Sequence, residues 1–293
     1  MHVNHFENIT HQNHQTMSTS NQTSQTPNNW SLTSKNFIVT GGTKGIGYEI
    51  TKCLLQHNAS KIIICARTQS DIDRVVNEFN QAYPNNKVYG ISCDLSTPEG
   101  RERLKESVEI HFESELHGLI NNVGTNIRKS ILDQTEEEYK IMMSTNLDSV
   151  YHLCKLLFPY LIQGSSVVNI SSAAGLQSSG TGAVYGMTKA AMIQLSKILA
   201  CEWAKYGIRV NAVAPWCTST PLLEASYDTE EKRRGLEKVK AWTPMGRLAR
   251  PEEVAAPVVF LCLPCCGYVT GQCLGVDGGL SAQGFDGPCV TPE

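Results

Sequence analysis

The chain lacks the features that would direct it into a membrane or onto a nucleic acid. Its longest apolar runs, such as 62–66 and 258–263, fall far short of the roughly 20 residues that a membrane-spanning helix needs. Basic and acidic residues nearly balance, and the formal charge of −3 indicates neither nucleic acid nor an anionic membrane surface as a partner. Neither kind of partner is therefore expected.

The amino-terminal segment lacks lysine and arginine, which first appear at Lys35. Residues 1–30 are dominated by Asn, Gln, Ser, Thr and His, and Glu7 is their single acidic residue. Such a composition cannot bury enough apolar surface to fold, so we predict a disordered polar extension over residues 1–33. Four of the eight histidines lie here, but a segment so poor in apolar side chains cannot order a metal cage. It has neither the apolar core of a secretory signal nor the arginines of an organellar transit peptide. The scattered cysteines are expected to be reduced, so a cytoplasmic location is expected.

A disulfide framework is also missing, although the chain has eleven cysteines. The number is odd and the residues are scattered singly, whereas secreted disulfide-rich domains are much shorter and regularly spaced. The cluster of Cys262, Cys265 and Cys266 could be half of a zinc site, a redox pair, or simply a helix end rich in thiols. No second pair of Cys or His follows at ligand spacing, which favours the helix end, and no metal is expected.

Strand-like and helix-like segments alternate from Lys35 onward without a break in composition. The predicted strands are 36–40, 61–66, 87–92, 117–121, 166–171, 208–213 and 272–276. The predicted helices are 46–57, 70–82, 98–113, 135–162, 182–206 and 251–263. Parallel strands need crossover connections, so this alternation predicts an α/β fold, a doubly wound parallel sheet of about seven strands with helices on both faces. We expect one Rossmann-like domain over residues 34–284 and a tail over 285–293.

A glycine-rich turn, TGGTKGIG over residues 40–47, follows the first predicted strand and opens the first predicted helix. Glycines let a backbone turn tightly and approach a pyrophosphate, and the free N–H groups of the helix that follows point at that anion. Such a turn alone could be an ordinary tight connection. Its position between an apolar strand and a helix is the context that dinucleotide binding requires.

Tyr185 and Lys189 are four residues apart in a predicted helix, so their side chains project from one face. An ammonium beside a phenol favours the phenolate, and it lowers a pKa that is about 10 in the free side chain. Such a phenol can exchange a proton with a carbonyl or alcohol oxygen near neutral pH, and the Ser172 hydroxyl could hold the same oxygen. With a bound hydride carrier, these groups predict a nicotinamide-dependent carbonyl reductase or alcohol dehydrogenase.

The end of the second predicted strand lacks the acid that NAD-preferring sites usually place on the ribose hydroxyls. The sequence there is ICART over 64–68, and the next acid is Asp71. Arg67 and Lys44 can both reach toward the adenosine ribose, where a guanidinium pairs well with a 2′-phosphate. NADP(H) is therefore the expected cofactor, although Arg67 could instead be a solvated surface arginine.

Further motifs follow in a fixed order, namely CDL at 93–95, NNVG at 121–124, Asn146, NISS at 169–172, YGMTK at 185–189 and VDGG at 276–279. With them, residues 34–284 resemble the short-chain dehydrogenases/reductases. Within that family, YHL at 151–153, EWAK at 202–205, IRVN at 208–211, FLC at 260–262 and YVTGQ at 268–272 resemble the tropinone reductases and tropinone-reductase-like proteins. The resemblance implies a homodimer or homotetramer in which helices 135–162 and 182–206 pack against their copies.

The resemblance also implies the roles of the catalytic residues. Tyr185 would be the acid/base, Ser172 would orient the carbonyl, and Lys189 would bind the nicotinamide ribose. Asn146 would hold a water that links Lys189 to solvent. The implied cofactor contacts are Gly41, Thr43, Lys44, Gly45, Ile46, Gly47, Arg67, Asp94, Leu95, Asn121, Val123, Gly124, Tyr185, Lys189, Pro215, Thr218 and Thr220.

Some of these positions could instead serve the fold, and the sequence leaves both roles open. Asp94, implied to hold the adenine with Leu95 nearby, could cap a helix. Asn146 could be a polar residue satisfied in a helix kink, and Ser171 or Ser172 could be a turn residue at a strand end. Spacing selects Ser172 over Ser171 by a single residue.

The chain departs from the family after the sixth predicted strand, where Trp216 replaces a glycine. Thr220 matches the threonine that, in the family, bonds the nicotinamide carboxamide. Trp216 could form a flat wall of the substrate pocket or pack under the next loop. The implied substrate contacts are Ser172, Ala174, Tyr185, Trp216, Leu222 and Leu223, and further lining candidates are Val123, Thr125, Asn126, Leu176 and Thr181. The charged stretch 228–240 is expected to be the solvated face of a lid helix.

The expected function is NADPH-dependent, reversible reduction of a small ketone, and a compact cyclic or bicyclic compound is expected because the lining is mostly apolar. No carboxylate is placed to pair with a tropane amine. A 3-oxoacyl thioester reductase is one alternative, and it would need a basic patch such as Arg128 with Lys129 for the carrier's phosphopantetheine. A non-catalytic NADP(H)-binding protein on the same fold is another, although the intact Ser172, Tyr185, Lys189 and Asn146 argue against it.

Overall fold

A computed structural model describes residues 29–226 and 229–283. Its strands are β1 (Asn36–Thr40), β2 (Lys61–Ala66), β3 (Lys87–Ser92), β4 (Leu116–Asn121), β5 (Leu161–Ile170), β6 (Arg209–Pro215) and β7 (Cys273–Val276). They form one seven-stranded sheet in the order β3-β2-β1-β4-β5-β6-β7, and every neighbouring pair is parallel. The central strands are apolar and buried on both sides, as a parallel sheet covered on two faces requires.

The helices are α1 (Gly45–Gln56), α2 (Gln69–Ala82), α3 (Pro98–Phe112), α4 (Glu136–Met143), α5 (Ser149–Leu157), α6 (Ala183–Trp203), α7 (Pro221–Ser226), α8 (Glu230–Trp242) and α9 (Pro251–Cys262). Helices α1, α2 and α9 share one apolar core with one face of the sheet, and α3, α5 and α6 share a second core with the opposite face. The chain is therefore a single Rossmann-like domain of three layers, as the sequence predicts.

The strand order reverses direction between β1 and β4, which are neighbours in the sheet. In doubly wound folds a crevice opens at such a reversal, outside the carboxyl ends of the strands. The glycine-rich turn follows β1 and the NNVG segment follows β4, so both lie at this crevice. The topology thus selects this edge of the sheet for ligand binding.

One predicted element differs from the structure, because the helix expected over 135–162 is divided. Thr135 caps α4, accepting a hydrogen bond from the Glu138 backbone N–H at 3.2 Å, and the helix then passes through a π-helical turn at Ser144–Asp148 before α5. Pro159 lacks the N–H that a continuing helix needs, and the chain changes to a short 3₁₀ turn at Phe158–Tyr160. Strand β5 begins directly afterwards, five residues earlier than the predicted start at 166.

The remaining predicted elements agree in type with those observed and differ at their ends by a few residues. Helix α8 occupies most of the charged stretch 228–240, where a lid helix is expected. Cys262 and Cys266 are buried and Cys265 is exposed, at the end of α9 and in the turn after it. In the described part of the chain, no three His, Cys, Asp or Glu side chains are grouped so that they could hold a metal ion.

Parts of several expectations lie outside the described residues. These parts are most of the polar extension over 1–33, the carboxyl-terminal tail over 285–293, and Asp228 in the charged stretch. The domain boundaries at residues 34 and 284 therefore stay predictions. No helix within 29–226 or 229–283 is long and apolar enough to cross a membrane.

Candidate active site

A cavity of about 610 Å³ lies at the carboxyl ends of the strands, in the crevice that the strand order predicts. This volume lies within the usual range for small-molecule and cofactor sites. Of the site residues predicted from the sequence, those that line it are Gly41, Lys44, Gly45, Ile46, Arg67, Asp94, Leu95, Val123, Gly124, Ser172, Tyr185, Lys189, Pro215, Trp216, Thr218, Thr220, Leu222 and Leu223. The fold therefore brings the glycine-rich turn and the Tyr185 helix to one cavity.

The glycine-rich turn forms the floor of the cavity beside the first turn of α1. A Cβ atom on Gly47 would lie 2.2 Å from the Gly41 carbonyl oxygen, so a side chain at this position would push the turn away from the helix. Gly45 adopts a φ of +55°, which L side chains rarely adopt. The turn thus stays close against the helix, whose free amino-terminal N–H groups face the cavity side where an anion would bind.

The cavity end beside β2 and β3 carries three charged side chains. Asp94 accepts hydrogen bonds from the Ser96 hydroxyl at 2.7 Å and the Ser96 backbone N–H at 2.9 Å. These bonds, with a smaller contribution from the charge of Arg67, lower the pKa of Asp94 below its usual value. Lys44 pairs with Asp71 at 2.8 Å in an exposed ion pair of the kind that contributes little stability, so its ammonium can be redirected to a ligand at small cost.

The catalytic residues expected from the sequence, Ser172, Tyr185 and Lys189, come together at the cavity wall that α6 and the end of β5 form. Lys189 is 3% exposed, and its ammonium donates to the Ile170 carbonyl oxygen at 2.9 Å. The same nitrogen lies 5.7 Å from the centre of the Tyr185 ring. The Lys189 ammonium therefore lies over the phenol ring and also contacts the end of β5.

The pKa of Tyr185 differs from the sequence expectation in the protein without a cofactor. Burial raises the pKa of this phenol, and a hydrogen bond with Ser172 and the charge of Arg128 oppose that effect without cancelling it. Burial also lowers the pKa of the Lys189 ammonium to about 8. The expected lowering by Lys189 is therefore wrong for this state, because desolvation of the phenol is the largest effect.

Ser171 and Ser172 have different partners, and this separates their roles. The Ser171 hydroxyl donates to the Lys189 carbonyl oxygen at 2.7 Å, so it ties the end of β5 to α6. The Ser172 hydroxyl oxygen accepts from the Ala174 backbone N–H at 3.2 Å and keeps its proton available toward Tyr185. A Cβ atom on Gly175 would lie 2.7 Å from the Lys189 carbonyl carbon, so the turn after Ser172 packs directly on α6. This close packing holds Ser171 and Ser172 in place against the helix that contains Tyr185.

Asn146 lies in the π-helical turn and is fully buried, outside the cavity wall. Its amide oxygen accepts from the Thr125 backbone N–H at 2.7 Å, and its amide nitrogen donates to the Thr125 carbonyl oxygen at 2.9 Å. A Cβ atom on Gly124 would lie 3.4 Å from the Asn146 amide oxygen and 3.3 Å from the Lys189 ammonium. Asn146 therefore holds Thr125, in the segment that follows β4, and its amide oxygen lies near the Lys189 ammonium.

The loop after β6 lines the cavity and contacts the residue that follows α8. The Trp216 indole N–H donates to the Thr243 hydroxyl at 3.0 Å, directly after α8. Trp216 lines both the main cavity and a smaller one of about 340 Å³ behind it. Thr220 accepts from the Leu223 backbone N–H at 3.3 Å at the start of α7, and its methyl group packs against Gly45. The indole is thus on the cavity wall and is also held by a hydrogen bond to the residue after α8, while its role toward a substrate stays a prediction.

Five of the predicted site residues do not line the cavity, namely Thr43, Gly47, Asn121, Asn146 and Ala174. Asn121 is buried, and its amide donates to the Asn169 amide oxygen at 2.8 Å, so its side chain belongs to the core. Its neighbour Asn122 lines the cavity instead, and its amide donates to the Thr40 carbonyl oxygen at 2.9 Å. Side chains alternate along a strand end, so neighbouring residues of the NNVG segment point in opposite directions.

The cavity wall also includes residues that the sequence did not assign to the site. They are Cys65, Ala66, Cys93, Asn122, Ile141, Thr145, Ile170, Cys217 and Pro221, together with Arg128, which was considered only as part of a carrier-binding patch. Ile141 and Thr145 are four residues apart on one helix face, a spacing that could have indicated a shared surface. The lining candidates Thr125, Asn126 and Thr181 lie on the wall, whereas Leu176 does not. The Asn126 amide oxygen is buried and has no partner among the described donors.

The cavity fits a nicotinamide dinucleotide on its own geometry. It connects the amino-terminal end of α1 and the basic residues Lys44 and Arg67 with the hydroxyls of Ser172 and Tyr185. The first group suits phosphates, and the second suits the oxygen of a carbonyl or alcohol. A dinucleotide extended along the cavity would therefore have its phosphates and its reactive ring beside the matching groups.

Comparison with known proteins supports this assignment. The family model described as Enoyl-(Acyl carrier protein) reductase matches residues 41–281. The tropinone reductase homolog At2g29260, chloroplastic, of Arabidopsis thaliana is 45% identical over 258 residues, which cover 87% of this chain and 78% of that protein. A tropinone reductase homolog of Datura stramonium is 42% identical over 258 residues, covering 87% of this chain and 95% of that protein.

Solved structures agree with the fold. The L-sorbose reductase of Gluconobacter frateurii, in complex with NADPH and L-sorbose, superposes with a TM-score of 0.80 at 27% identity and covers 87% of this chain and 99% of that one. The aldohexose dehydrogenase of Thermoplasma acidophilum gives a TM-score of 0.76 at 29% identity, with coverage of 89% and 98%. The ordered motifs, the parallel sheet and these similarities show that the chain belongs to the short-chain dehydrogenase/reductase family of oxidoreductases, which bind a nicotinamide cofactor.

Proposed function

We propose that this protein is an NADPH-dependent carbonyl reductase, reversible as an alcohol dehydrogenase, that acts on a small cyclic or bicyclic ketone in the manner of tropinone reductases. The observation that carries the proposal is the meeting of Ser172, Tyr185 and Lys189 at a cavity that also contains the glycine-rich turn. The similarity to tropinone reductase homologs supports the substrate class.

The chemistry divides between the cofactor and the chain. The cofactor, when bound, supplies the hydride that the carbonyl carbon accepts. Ser172 donates a hydrogen bond to the carbonyl oxygen and holds it beside Tyr185, whose phenol gives its proton to the developing alkoxide. A phenol whose pKa is raised by burial is fully protonated at neutral pH, which suits it to the role of acid in the reductive direction.

Lys189 and Asn146 act around this proton transfer. The Lys189 ammonium binds the nicotinamide ribose and places a positive charge near the phenol ring, which favours the phenolate after the proton has left. Asn146 positions a water that returns a proton toward Lys189 from solvent, a role favoured by the closeness of its amide oxygen to that ammonium around Gly124. The second proposed role of Asn146, clamping Thr125, keeps the cavity wall in place.

Substitution of Tyr185 by Phe tests the acid. We expect ketone-dependent NADPH oxidation to fall by roughly 10²–10⁴-fold or more, because the proton donor is lost, whereas the NADPH dissociation constant stays within about twofold. Tyr268→Phe is the matched control, since Tyr268 is fully exposed at the surface and away from the cavity. Retention of substantial turnover in Tyr185→Phe would contradict the mechanism.

The preference for NADP(H) over NAD(H) rests on Arg67 and Lys44 at the nucleotide end of the cavity. Arg67→Ala should raise the NADPH dissociation constant by roughly tenfold to a hundredfold, as expected for loss of a charge-assisted hydrogen bond, and should change the NADH constant far less. Arg74→Ala, which removes an exposed arginine of α2, is the control. Equal losses for both cofactors would refute the assignment.

The remaining proposed contacts to the cofactor are those named from the family resemblance, among which Asp94 and Leu95 hold the adenine and Thr218 and Thr220 approach the nicotinamide. The substrate proposal adds Ala174, Trp216, Leu222 and Leu223. A panel of cyclic ketones, bicyclic ketones, quinones and acetoacetyl thioesters, followed through NADPH oxidation, tests the substrate class. The thioester alternative is weakened by Lys129, whose ammonium pairs with Glu138 at 2.6 Å rather than extending a basic patch.

We also propose that the protein assembles as a homodimer or homotetramer through α4, α5 and α6. Met187 and Ile198 are exposed and lie three turns apart on one face of α6, and Tyr151 of α5 is half exposed. Light scattering during gel filtration should give a mass of two or four times 32.2 kDa, and a mass of one chain would refute the assembly. The cytoplasmic location also stays a prediction, which imaging of a fluorescent fusion of the full chain tests.

A further inference from the structure

Charged side chains on the cavity wall fall into separate groups. Lys44, Arg67 and Asp94 lie at the nucleotide end, and Lys189 lies behind the catalytic phenol. Arg128 follows β4 and lines the cavity, and the backbone of its neighbours Ile127 and Lys129 lies within 4.0 Å of a Cβ atom built on Gly182, directly before the helix that contains Tyr185. The substrate end of the cavity therefore contains a guanidinium.

This placement agrees with the effect of the Arg128 charge on two residues from different elements. Tyr185 belongs to α6, and Cys217 belongs to the loop after β6. Burial raises the pKa of the Cys217 thiol to about 11, and the charge of Arg128 opposes this rise as it does at Tyr185. A substrate whose carbonyl oxygen is held by the phenol stands within the same field.

Carboxylates are scarce on the described part of the cavity wall. Asp94 is the carboxylate among the described lining residues, and it belongs to the nucleotide end. Glu138 pairs with Lys129 at 2.6 Å, and Glu253 pairs with Arg247 at 2.7 Å beside the smaller cavity. A substrate anion would therefore meet attraction at the substrate end, and a substrate cation would meet repulsion.

We propose that Arg128 recognises a carboxylate group on the ketone, so that the enzyme selects keto acids over neutral and cationic ketones of the same shape. This inference rests on the proposed reductase function and narrows its substrate class. A guanidinium has five N–H donors in a planar fork, so it can bind a carboxylate through two of them while keeping its other contacts. The mostly apolar wall around it, including Trp216, Leu222 and Leu223, would cover the carbon skeleton.

The test compares three ketones that share a six-membered ring and differ in charge. They are oxocyclohexanecarboxylate with its ketone opposite the carboxylate, the methyl ester of this acid, and N-methylpiperidone, which is a cation near neutral pH. The variants are Arg128→Gln and Lys129→Gln. Each variant removes one positive charge, and the two positions are adjacent in the chain, but only Arg128 of the pair lines the cavity. Loss of the Arg128 charge also alters the phenol, so the quantity compared is the ratio of kcat/KM for acid and ester.

In the wild type we expect the acid to exceed the ester in kcat/KM and the cationic ketone to fall below both. Arg128→Gln should lower the ratio of acid to ester by roughly tenfold to a hundredfold, the loss expected for a charge-assisted hydrogen bond, and should do so mainly through KM. Lys129→Gln should leave the ratio unchanged. Added salt should reduce the wild-type ratio, because the Arg128 side chain is exposed. An unchanged ratio in Arg128→Gln, or an equal fall in Lys129→Gln, would overturn the inference.

Calorimetry separates this inference from the proposed function. Cyclohexanecarboxylate, which cannot be reduced, is titrated into wild type and Arg128→Gln, each with and without NADP⁺. Binding that is weakened roughly tenfold or more by Arg128→Gln supports carboxylate recognition even if no ketone is turned over, an outcome that would overturn the reductase proposal alone. Turnover of the ester together with equal carboxylate binding by both proteins would overturn the inference and leave the reductase proposal standing.

Discussion

The burial of Lys189 has a measurable cost, because its ammonium lies in the interior without a carboxylate partner among the described ion pairs. Its nitrogen contacts the Ile170 carbonyl oxygen at 2.9 Å and the Met192 sulfur at 3.7 Å. Burial lowers its pKa from 10.5 to about 8. Since one pH unit corresponds to about 1.4 kcal/mol, the charged form costs the folded protein about 3 kcal/mol at neutral pH.

Lys189→Met should therefore stabilise the protein without nucleotide while abolishing its activity. Methionine keeps the length of the side chain and removes the charge, and it loses the hydrogen bond to Ile170, which offsets about 1–2 kcal/mol of the gain. We expect a net increase in the free energy of unfolding of about 1–2 kcal/mol at pH 7. Such a gain is typical where a functional group that destabilises the fold is removed.

The stability advantage of Lys189→Met should decrease as the pH rises. Between the folded pKa of about 8 and the unfolded value of 10.5, the unfolded chain binds more protons at Lys189 than the folded one, so wild-type stability rises with pH in that window. The cost is fully present below pH 8. Because the variant lacks this titration, its advantage should shrink by about 2 kcal/mol between pH 7 and pH 9.5.

Urea unfolding at both pH values measures these differences at one protein concentration, since subunit association also stabilises the fold. Lys197→Met is the control, because Lys197 lies on the exposed side of the same helix, and its change should stay within about 0.5 kcal/mol. A variant less stable than the wild type at pH 7, or an advantage that does not change with pH, would refute the reasoning.

Two further substitutions test the architecture of the cavity. Gly47→Ala should raise the NADPH dissociation constant by at least tenfold and lower the melting temperature. The reason is that its Cβ would lie 2.2 Å from the Gly41 carbonyl oxygen and displace the turn. Normal NADPH binding in a calorimetric titration would contradict this. Thr243→Val removes the acceptor of the Trp216 indole N–H, at a cost of about 1 kcal/mol. KM for the ketone should therefore rise severalfold, with little change in NADPH affinity. Steady-state kinetics with an unchanged KM would exclude this role of the indole.

The sequence predicts the fold well because its signals are local. Strand β2 contains three consecutive isoleucines followed by Cys65, and these four central residues are buried, as a strand covered on both faces requires. The division of helix 135–162 could not be predicted in the same way, since apolar residues continue at helical spacing through the π-helical turn. That turn depends on the contact of Asn146 with Thr125, which lies 21 residues earlier in the chain.

The site could be predicted where motifs fix its residues and could not where tertiary packing decides. Tyr185, Lys189 and Ser172 meet as their spacing indicates, but the direction of the Tyr185 pKa follows from burial, which spacing does not report. Arg128 and Ile141 line the cavity because tertiary packing brings the segment after β4 and helix α4 to its wall. The four-residue spacing of Ile141 and Thr145 is a local signal for a shared surface, whereas no local pattern distinguishes Arg128 from an ordinary surface position.

The π-helical turn at Ser144–Asp148 makes the length of this stretch of chain difficult to change. A π-helical turn contains one residue more than the α-helical turn it replaces, and each residue rotates a helix by about 100°. Deletion of a single residue here would restore a regular helix but would turn either α4, with Ile141 on the cavity wall, or α5, with Leu153 in the core, away from its contacts. Homologous enzymes that keep the same cavity should accordingly vary in side chains along this stretch while conserving its number of residues.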